Sequence, residues 1–494
     1  KLRVTPWGDN YQALVTLVDD KQEQGYNTVE AVKVPASARQ NFSNEPRFTE
    51  NHTRSAALEQ AFRAFGADIT LLSTYSHNRY NRTQDYDGTE LKQGYRTGEN
   101  IDRQWVQEAR ANFDTQLFGR QLKGVAGLYY SQQYYDGDDT FIVPVSYVLG
   151  LIGQCPSQVV CDAAYSADFI SRRQMQHNAS KTRAAYGEFD YVVDKLTFTA
   201  GLRFDGERQS RMPDSQTSGT SPLARKIFGQ LISAGYFAPD GPQNLNTDNS
   251  VWLPKLGVRY ALAPEWVAGL TAQRGYRTGG VDYSYQRGSH AYGPEYTRNY
   301  EASLKGVMAN GLMVSMNAYR VNWTDQQVDV GNNTLDVYLV NAGSSRLQGF
   351  EGEVRGRVTP QLELFGAVGI ARTKFNNFVT PTEDFTRKQF ARSPREMQSV
   401  GFSWTPGRWL LNMNLSHSGS TYTRSDNIDR NDGHTTLAGK ASYALSNGVT
   451  LFAYGTNLTN RTYITANKLD SVTGRYNVIL GSARQFGFGL QGTI

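Results

Sequence analysis

The sequence predicts an all-β protein whose fold class is a transmembrane antiparallel β-barrel. Three observations support this prediction: apolar and polar residues alternate strictly in many segments, short turns alternate with long connections, and aromatic residues and glycine are abundant. Of the 494 residues, 39% are hydrophobic, 12% are aromatic and 47 are glycine. This composition fits one large β-structure with wide polar loops better than several compact cores.

The alternation is clearest in KLTFTAGLRFD, residues 195–205, where every even position is apolar and most odd positions are polar. Residues 251–262 and 408–416 show the same period of two. Each segment therefore has one apolar face and one polar face, as in a β-strand. A membrane helix needs about 20 apolar residues in a row, and the nearest run, 141–153, is short and contains Pro144.

Connection lengths distinguish a barrel from a soluble sandwich, because outer-membrane barrels have short turns at one end and long loops at the other. The nine short turns lie at 6–10, 65–68, 117–121, 193–195, 262–265, 309–311, 359–361, 405–407 and 446–448. The long connections lie at about 20–50, 81–98, 136–180, 210–249, 278–293, 376–392, 423–433 and 461–481, with a shorter one near 329–335. Nine turns join eighteen strands, and the terminal strand makes about nineteen.

An odd strand count predicts that strands are missing, most simply at the N-terminus, because bacterial single-chain barrels have an even number. Residues 56–65 have weak helical periodicity, but they lie where a strand is needed and are predicted as strand. The chain begins KLRVTPWGDN, without an initiator Met or a secretion signal. This start indicates either processing or a fragment.

Cys155 and Cys161 are the only cysteines and lie between polar stretches. Their spacing favours a loop disulfide formed in an oxidising compartment over two free thiols, and a zinc site would need more ligands than this stretch offers. The formal net charge of +5 is small for this length and indicates neither nucleic acid nor anionic lipid as a partner. The six histidines are scattered without metal-site spacing, so no metal site is predicted.

Several stretches resemble TonB-dependent outer-membrane receptors of the siderophore type. Their order and approximate spacing also match that family, and the resemblance covers residues 250–494 well and the earlier strands more loosely. The stretches are RGYRTGG (274–280), GPEYTRNYEASLKG (293–306), LVNAGSSRLQGFEGEV (339–354) and YGTNLTNRTYI (454–464).

Such receptors have 22 strands around an N-terminal plug, which follows a short TonB-contacting box. Nothing in residues 1–494 looks like a plug or a box, so the resemblance implies the larger part of the barrel alone, N-terminally incomplete. It also implies a bacterial outer-membrane location among lipid and lipopolysaccharide. The implied function is uptake of a ferric siderophore or similar scarce ligand, driven by TonB–ExbB–ExbD through the plug.

The resemblance implies a transporter and not an enzyme, with no cofactor and with iron only as part of the transported chelate. We expect no nucleic-acid partner. Two alternatives stay open: a passive outer-membrane porin, and a surface or soluble β-protein that binds carbohydrate.

A ferric chelate would meet tyrosine and arginine side chains at the loop end, which can stack on and pair with its catecholate, phenolate or carboxylate groups. The densest such set is Tyr276, Arg277, Tyr283, Tyr285 and Arg287. The alternative is that these aromatic residues belong to the interface girdle or pack the loop on itself.

Lumen-facing charges are expected to form salt bridges with a plug or to be hydrated rather than to select the substrate. They are Arg203, Lys255, Arg259, Glu301 and Glu353. On the apolar face, Trp252, Trp266 and Trp409 are expected to anchor the barrel at the short-turn interface of the bilayer.

The chain ends in RQFGFGLQGTI, whose glycines have the G-x-G-x-x-G spacing of a dinucleotide-binding turn. That motif must open a helix, and only two residues follow Gly492, so a nucleotide site is not predicted. At period two, Phe486, Phe488 and Leu490 face lipid, whereas Gly487 and Gly489 face the lumen and are expected to leave the inner wall smooth. The segment therefore predicts the closing strand of a barrel.

Overall fold

The structure is a computed structural model, in which the loops and the barrel wall are described over most of the chain. It describes residues 1–25, 29–31, 39, 43–45, 48–85, 94–165, 167–284, 286–331, 337–380, 383–446, 448–469 and 476–492.

Strands dominate these residues. They are β1 Leu2–Val4, β2 Tyr11–Gly25, β3 Val29–Ala31, β4 Phe48–Ala64, β5 Ala67–Asp85, β6 Tyr95–Leu117, β7 Arg120–Pro144, β8 Phe169–Val193, β9 Leu196–Gly219, β10 Gly241–Pro242, β11 Leu245–Ala263, β12 Trp266–Arg277, β13 Gly280–Ser284, β14 Gly288–Tyr292, β15 Glu295–Val307, β16 Met313–Val330, β17 Tyr338–Thr359, β18 Leu362–Asn377, β19 Glu396–Trp404, β20 Trp409–Ser418, β21 Thr421–Tyr422, β22 Arg430–Asn431, β23 His434–Ser446, β24 Val449–Thr456, β25 Ile464–Leu469, β26 Tyr476–Leu480 and β27 Gln485–Gly492.

In the described residues, three α-helices lie in the long connections: α1 Val145–Leu151, α2 Gln158–Tyr165 and α3 Pro222–Ser233, with a 3-10 turn at Gly8–Asn10. None of the helices in the described part of the chain has the length and apolar content that crossing a membrane requires. A disulfide joins Cys155 to Cys161, with Cα atoms 6.2 Å apart, and ties α2 to the segment before it.

The main sheet has 20 strands and is an antiparallel meander. Its strands pair in the order β1, β2, β4, β5, β6, β7, β8, β9, β11, β12, β15, β16, β17, β18, β19, β20, β23, β24, β27, while the two-residue strand β10 adds to β9. The meander confirms the all-β barrel fold class and the count of nineteen strands. It also confirms that residues 56–64 belong to a strand, whereas Phe65 lies in the turn that follows.

The first and last loops of the sheet meet at the loop end. β26, from the last long connection, pairs with β3, from the first, with Val478 opposite Glu30. Arg39 Nη1 also donates to the carbonyl oxygen of Gly481 at 2.8 Å. The sheet therefore curls, although within the described residues β1 pairs only with β2 and β27 only with β24.

Many strands run further into the long connections than the sequence pattern predicts. In the expected connection 136–180, β7 continues to Pro144 and β8 begins at Phe169. Beyond the ~9–11 residues that cross a bilayer, both faces of a strand are wet. The apolar alternation then ends while the backbone ladder continues, so the pattern alone underestimates strand length.

The outward face is apolar and exposed, with Leu256 at 65%, Leu270 at 60% and Phe488 at 92% of full residue exposure. Strict alternation places these side chains where lipid covers them. Phe486 and Leu490 lie on the same face of β27 as Phe488 and are also exposed, as the alternation predicts.

The expectation of a smooth inner wall along β27 is wrong. The ring of Phe452 lies over Gly489 and the ring of Tyr454 over Gly487, so close that a Cβ on either glycine would fall 2.5 Å from the ring. The glycines make room for aromatic side chains of β24, and those rings cover the strand.

Trp252 does not lie near a short turn. On the same face of β11, Leu256, Tyr260 and Leu262 lie between it and the turn, and its ring packs 4.8 Å from that of Phe204. Trp252 therefore belongs to the interface on the loop side. Trp266 and Trp409 begin their strands directly after short turns, as expected.

The loop end has two small cores of its own. One joins α1 and α3 to β7 and β8, and buries Val145, Val148, Ile170, Phe228 and Phe237. α3 begins at a capped N-terminus, because the Ser221 hydroxyl accepts from the Ala224 amide at 3.0 Å. The other packs the connection after β18 around Phe375, Phe378 and Phe385. These cores fix the loop positions at the mouth of the barrel.

Candidate functional site

The β13–β14 hairpin lies at the mouth, in the connection between β12 and β15, and is held on two sides. On one side the Tyr283 hydroxyl accepts from Arg172 Nε at 3.0 Å and from Ser215 Oγ at 3.1 Å. Arg172 on β8 is only 2% exposed, and it also binds Asp240 at 3.3 Å and the carbonyl oxygen of Ala238 at 3.1 Å. This buried guanidinium therefore fastens the hairpin to the β8–β9 wall.

On its other side the hairpin contacts the upper end of β17. The backbone amide of Leu339 donates to Asp282 Oδ2 at 2.7 Å, and His290 Nε2 lies 3.1 Å from the Leu339 carbonyl oxygen. The His290 ring also packs edge-on against Tyr338, with centroids 5.6 Å apart. Two walls that are distant along the sheet are thus joined through one hairpin.

The structure distributes the five predicted ligand contacts over different places. Tyr276 shares the outward face of β12 with Leu270, and its ring packs 5.7 Å from that of Tyr296. Arg277, the next residue, is on the opposite face and exposed. Tyr276 and Arg277 are therefore neighbours in sequence whose side chains lie on opposite faces of β12.

Two of the remaining three contribute to the packing of the hairpin. The Tyr283 hydroxyl is occupied by Arg172 and Ser215, and the Arg287 guanidinium lies 4.0 Å from the centre of the Tyr338 ring. Tyr285 lies outside the described residues. The alternative that these side chains pack the loop on itself describes Tyr283 and Arg287 well.

A charged cluster at the mouth combines Asp282 and Asp329 with Arg277 and Arg392. Burial raises the pKa of Asp329, and the negative charge of Asp282 raises this pKa further, while Arg277 and Arg392 act in the opposite direction. Asp329 lies near the loop end of β16, beyond the residues that cross a bilayer. The cluster holds both signs of charge at the entrance.

The five predicted lumen charges fall into two groups. Three are paired along the wall: Lys255 Nζ lies 2.9 Å from Glu188, Arg259 Nη2 lies 2.6 Å from Asp190, and Arg203 Nε lies 2.7 Å from Asp205. Glu301 and Glu353 are exposed and form no ion pair with the described residues. These two carboxylates therefore present their charge to the lumen.

A family model described as "TonB dependent receptor-like, beta-barrel" matches residues 3–458. The chain belongs to this family. The match favours the receptor hypothesis over the porin and carbohydrate-binding alternatives, and the family's members are transport receptors rather than enzymes.

Solved structures of this receptor class share the fold. The ferric yersiniabactin uptake receptor FyuA from Yersinia pestis superposes with a TM-score of 0.78 at 16% identity, covering 99% of this chain and 69% of that one. The siderophore receptor PiuA from Acinetobacter baumannii gives a TM-score of 0.75 at 11% identity, covering 98% and 72%. At such identities the likeness shows the barrel fold alone.

A curated receptor relative is the metal-pseudopaline receptor CntO of Pseudomonas aeruginosa (strain UCBPP-PA14). It is 31% identical over 116 residues, which are 23% of this chain and 16% of that receptor. This chain therefore matches less than a fifth of the curated relative.

Sequence reasoning missed Arg172, Asp282 and Asp329 at the receptor mouth. Arg172 stands beside Arg173 in a polar stretch, and nothing in the pattern shows that one guanidinium is buried and the other exposed. Alternation along β8 could have separated the two, had the strand been predicted to extend that far.

Proposed function

We propose that this receptor barrel takes up a ferric siderophore or a similar scarce metal chelate across the bacterial outer membrane, driven by the TonB–ExbB–ExbD system. The family match over residues 3–458 carries the proposal. The names of the relatives support it: a ferric yersiniabactin uptake receptor, a siderophore receptor and a metal-pseudopaline receptor. In this proposal residues 1–494 form the barrel, and the plug and the TonB box are not part of these residues.

Within the predicted set, we assign ligand contact to Arg277. It is exposed at the top of β12, close enough to Asp329 to influence its pKa, and an arginine can pair with two oxygens of an anionic chelate. Tyr283 and Arg287 hold the hairpin around this position, and Tyr276 lies on the opposite face of the strand. Tyr285 remains a proposed ligand contact.

Binding of defined ferric chelates to the purified chain tests this assignment. The probes are iron-55 complexes of enterobactin, ferrichrome and citrate, retained by the protein in detergent on a filter. We expect Arg277→Gln to weaken binding of the anionic probes about tenfold, since a hydrogen bond to a charged group contributes roughly 1.5–3 kcal/mol.

Tyr276→Phe is the matched control, because its ring faces away from the mouth and keeps its contact with Tyr296. It should bind like the wild type. If Arg277→Gln binds every probe that the wild type retains with unchanged affinity, Arg277 is not a ligand contact. If the wild type retains none of the probes, the chelate class itself is wrong.

A further inference from the structure

The neck of the β13–β14 hairpin, where the chain leaves β12 and returns to β15, is held by two carboxamide side chains. Gln327 on β16 and Asn341 on β17 lie directly opposite each other in the register. Gln327 Nε2 donates to the carbonyl oxygens of Thr278 at 2.7 Å and Gly293 at 3.1 Å. Asn341 Nδ2 donates to the Gly293 carbonyl oxygen at 2.9 Å, and Asn341 Oδ1 accepts from the Gly293 amide at 2.7 Å. This pair of side chains is here called the carboxamide clamp.

The clamp is itself fixed in place. Gln327 is only 7% exposed. Asn341 Nδ2 also donates to the carbonyl oxygen of Asp325 at 2.8 Å, where the register of β16 and β17 is interrupted and Asp325 has a φ of 57°. A carboxamide that turned away from these partners would leave polar groups unsatisfied, so its hydrogen bonds hold each side chain in position.

The clamp joins stretches that are far apart in sequence. Thr278, Gly293 and Asn341 belong to three of the four stretches that resemble TonB-dependent receptors, at 274–280, 293–306 and 339–354. Gln327 comes from outside these stretches and bonds two of them. All of them meet at one point of the mouth, directly beside Arg277.

Arg277 is connected to the clamp through two neighbours. Thr278, whose carbonyl oxygen accepts from Gln327, is the next residue in the chain. Across the ladder, Arg277 lies opposite Glu295, a position at which opposite charges can pair. Glu295 Oε2 instead accepts from the backbone amide of Gln327 at 2.7 Å, and Arg277 forms no ion pair with the described residues. The guanidinium charge therefore stays available to a ligand.

We propose that Gln327 and Asn341 are positioning residues, which hold Arg277 at the mouth in the orientation in which it binds an anionic chelate. This inference rests on the proposed function, in which Arg277 is a ligand contact. Ordering a long side chain on a ligand costs conformational entropy, and a fixed backbone lowers that cost. The clamp therefore contributes to affinity through Arg277.

A nitroxide label at position 277 tests the positioning without any ligand. Cys155 and Cys161 are the only cysteines and are joined in a disulfide, so in the Arg277→Cys variant only the new thiol takes the label. We expect Gln327→Met, which keeps the side-chain length and removes the amide donor, to increase the mobility of the label in electron paramagnetic resonance spectra. Gln326→Met is the matched control, because the Gln326 carboxamide accepts from Ser345 and makes no contact with the neck.

Binding of the iron-55 probes tests whether the clamp acts through Arg277. We expect Gln327→Met to weaken binding of the anionic probe that the wild type retains, ferric enterobactin or ferric citrate, about fivefold, a typical coupling within one hydrogen-bond network. In the Arg277→Gln background the same change should cause no further loss, because no guanidinium is left to position. A role in general stability would instead weaken binding equally in both backgrounds.

Asn341→Leu tests the other half of the clamp and should increase the mobility of the label in the same way. The shift in gel mobility on heating shows that each variant is folded. An unchanged spectrum in either clamp variant, an equal change in Gln326→Met, or an equal loss of binding with and without Arg277 would each overturn the proposal. If the wild type retains neither anionic probe, the proposed ligand contact fails, and the spectra alone decide whether the clamp positions Arg277.

Discussion

At the scale of single residues, neighbours in sequence have different surroundings because a strand alternates its faces. Tyr276 packs on Tyr296 on the outward face, whereas Arg277 joins the charged cluster at the mouth. Arg172 is buried by the hairpin, while Arg173 pairs with Asp138 on the outer surface. Residue type alone therefore could not identify the site, and register had to be known first.

Asp329 provides a prediction on pH. Because its pKa is raised in the folded protein, the stability it contributes is fully present below its unfolded pKa of about 3.9 and is lost as the pH rises through the folded value. Ionised Asp329 is thus unfavourable at neutral pH. We expect Asp329→Asn to raise the midpoint of thermal unfolding at pH 7.5 and to match the wild type below about pH 4.

Circular dichroism of the protein in detergent at both pH values measures this difference. Asp384, a loop carboxylate whose pKa is lowered by hydrogen bonds from Thr386, is the matched control, and Asp384→Asn should not stabilise at pH 7.5. A lower unfolding midpoint for Asp329→Asn at pH 7.5 would contradict the conclusion that ionised Asp329 destabilises the folded protein.

At the scale of the element, β27 shows how glycine and aromatic residues on paired strands complement each other. Gly489 lies beneath Phe452 and Gly487 beneath Tyr454, so the rings of β24 fill space that side chains of β27 would otherwise need. The alternation of the sequence predicted the strand and its outward face. It could not predict the rings over the glycines, because their position depends on cross-strand register.

Gly489→Ala tests this packing. The new Cβ would lie 2.5 Å from Phe452 Cζ, so the ring must move, and we expect a loss of about 1–3 kcal/mol in stability. Gly369→Ala on β18 is the control, because nothing lies within 4 Å of its added Cβ. Urea unfolding in detergent measures both.

Phe452→Ala should relieve the clash, so the double variant should lose less than the sum of the two single changes. If Gly489→Ala and Gly369→Ala unfold at the same urea concentration, the ring does not restrict this strand.

At the scale of the whole molecule, the wall formed by β15 to β17 has opposite charge on its two faces. Arg298, Arg320 and Arg346 lie outside, whereas Glu301 and Glu353 present carboxylates to the lumen. Some other lumen charges are paired, as between Lys255 and Glu188. The interior field is therefore expected to favour cations along one wall.

Conductance in planar bilayers tests the lumen charge. We expect the chain to form an open pore that prefers cations, because fixed charge selects counterions. The double variant Glu301→Gln, Glu353→Gln should therefore shift the reversal potential in a salt gradient toward anion selectivity. The double variant Lys255→Gln with Glu188→Gln removes a neutral pair and should leave selectivity unchanged. The absence of a conducting pore, or unchanged ion selectivity in the glutamate variant, would contradict this expectation.

Most of the barrel could be predicted from the sequence, and little of its mouth could. Period-two alternation and turn spacing follow from the bilayer, which imposes one apolar face on every strand, so the nineteen strands were readable. The prediction that Trp252 anchors the short-turn interface is wrong, because most of β11 lies between Trp252 and that turn. Above the bilayer no such constraint acts, and contacts such as Tyr283 with Arg172 join residues far apart in sequence.

The hairpin formed by β13 and β14 also has a mechanical consequence. It is bonded to β9 through Tyr283 and to β17 through Asp282, and these strands are separated in the sheet by β11, β12, β15 and β16. That arc of wall measures about 24 Å at ~4.8 Å per strand. The hairpin spans it and is hydrogen-bonded to the wall at both ends. We expect lateral pressure from the membrane to flatten a rim without such a link, and we expect the hairpin to keep this rim curved.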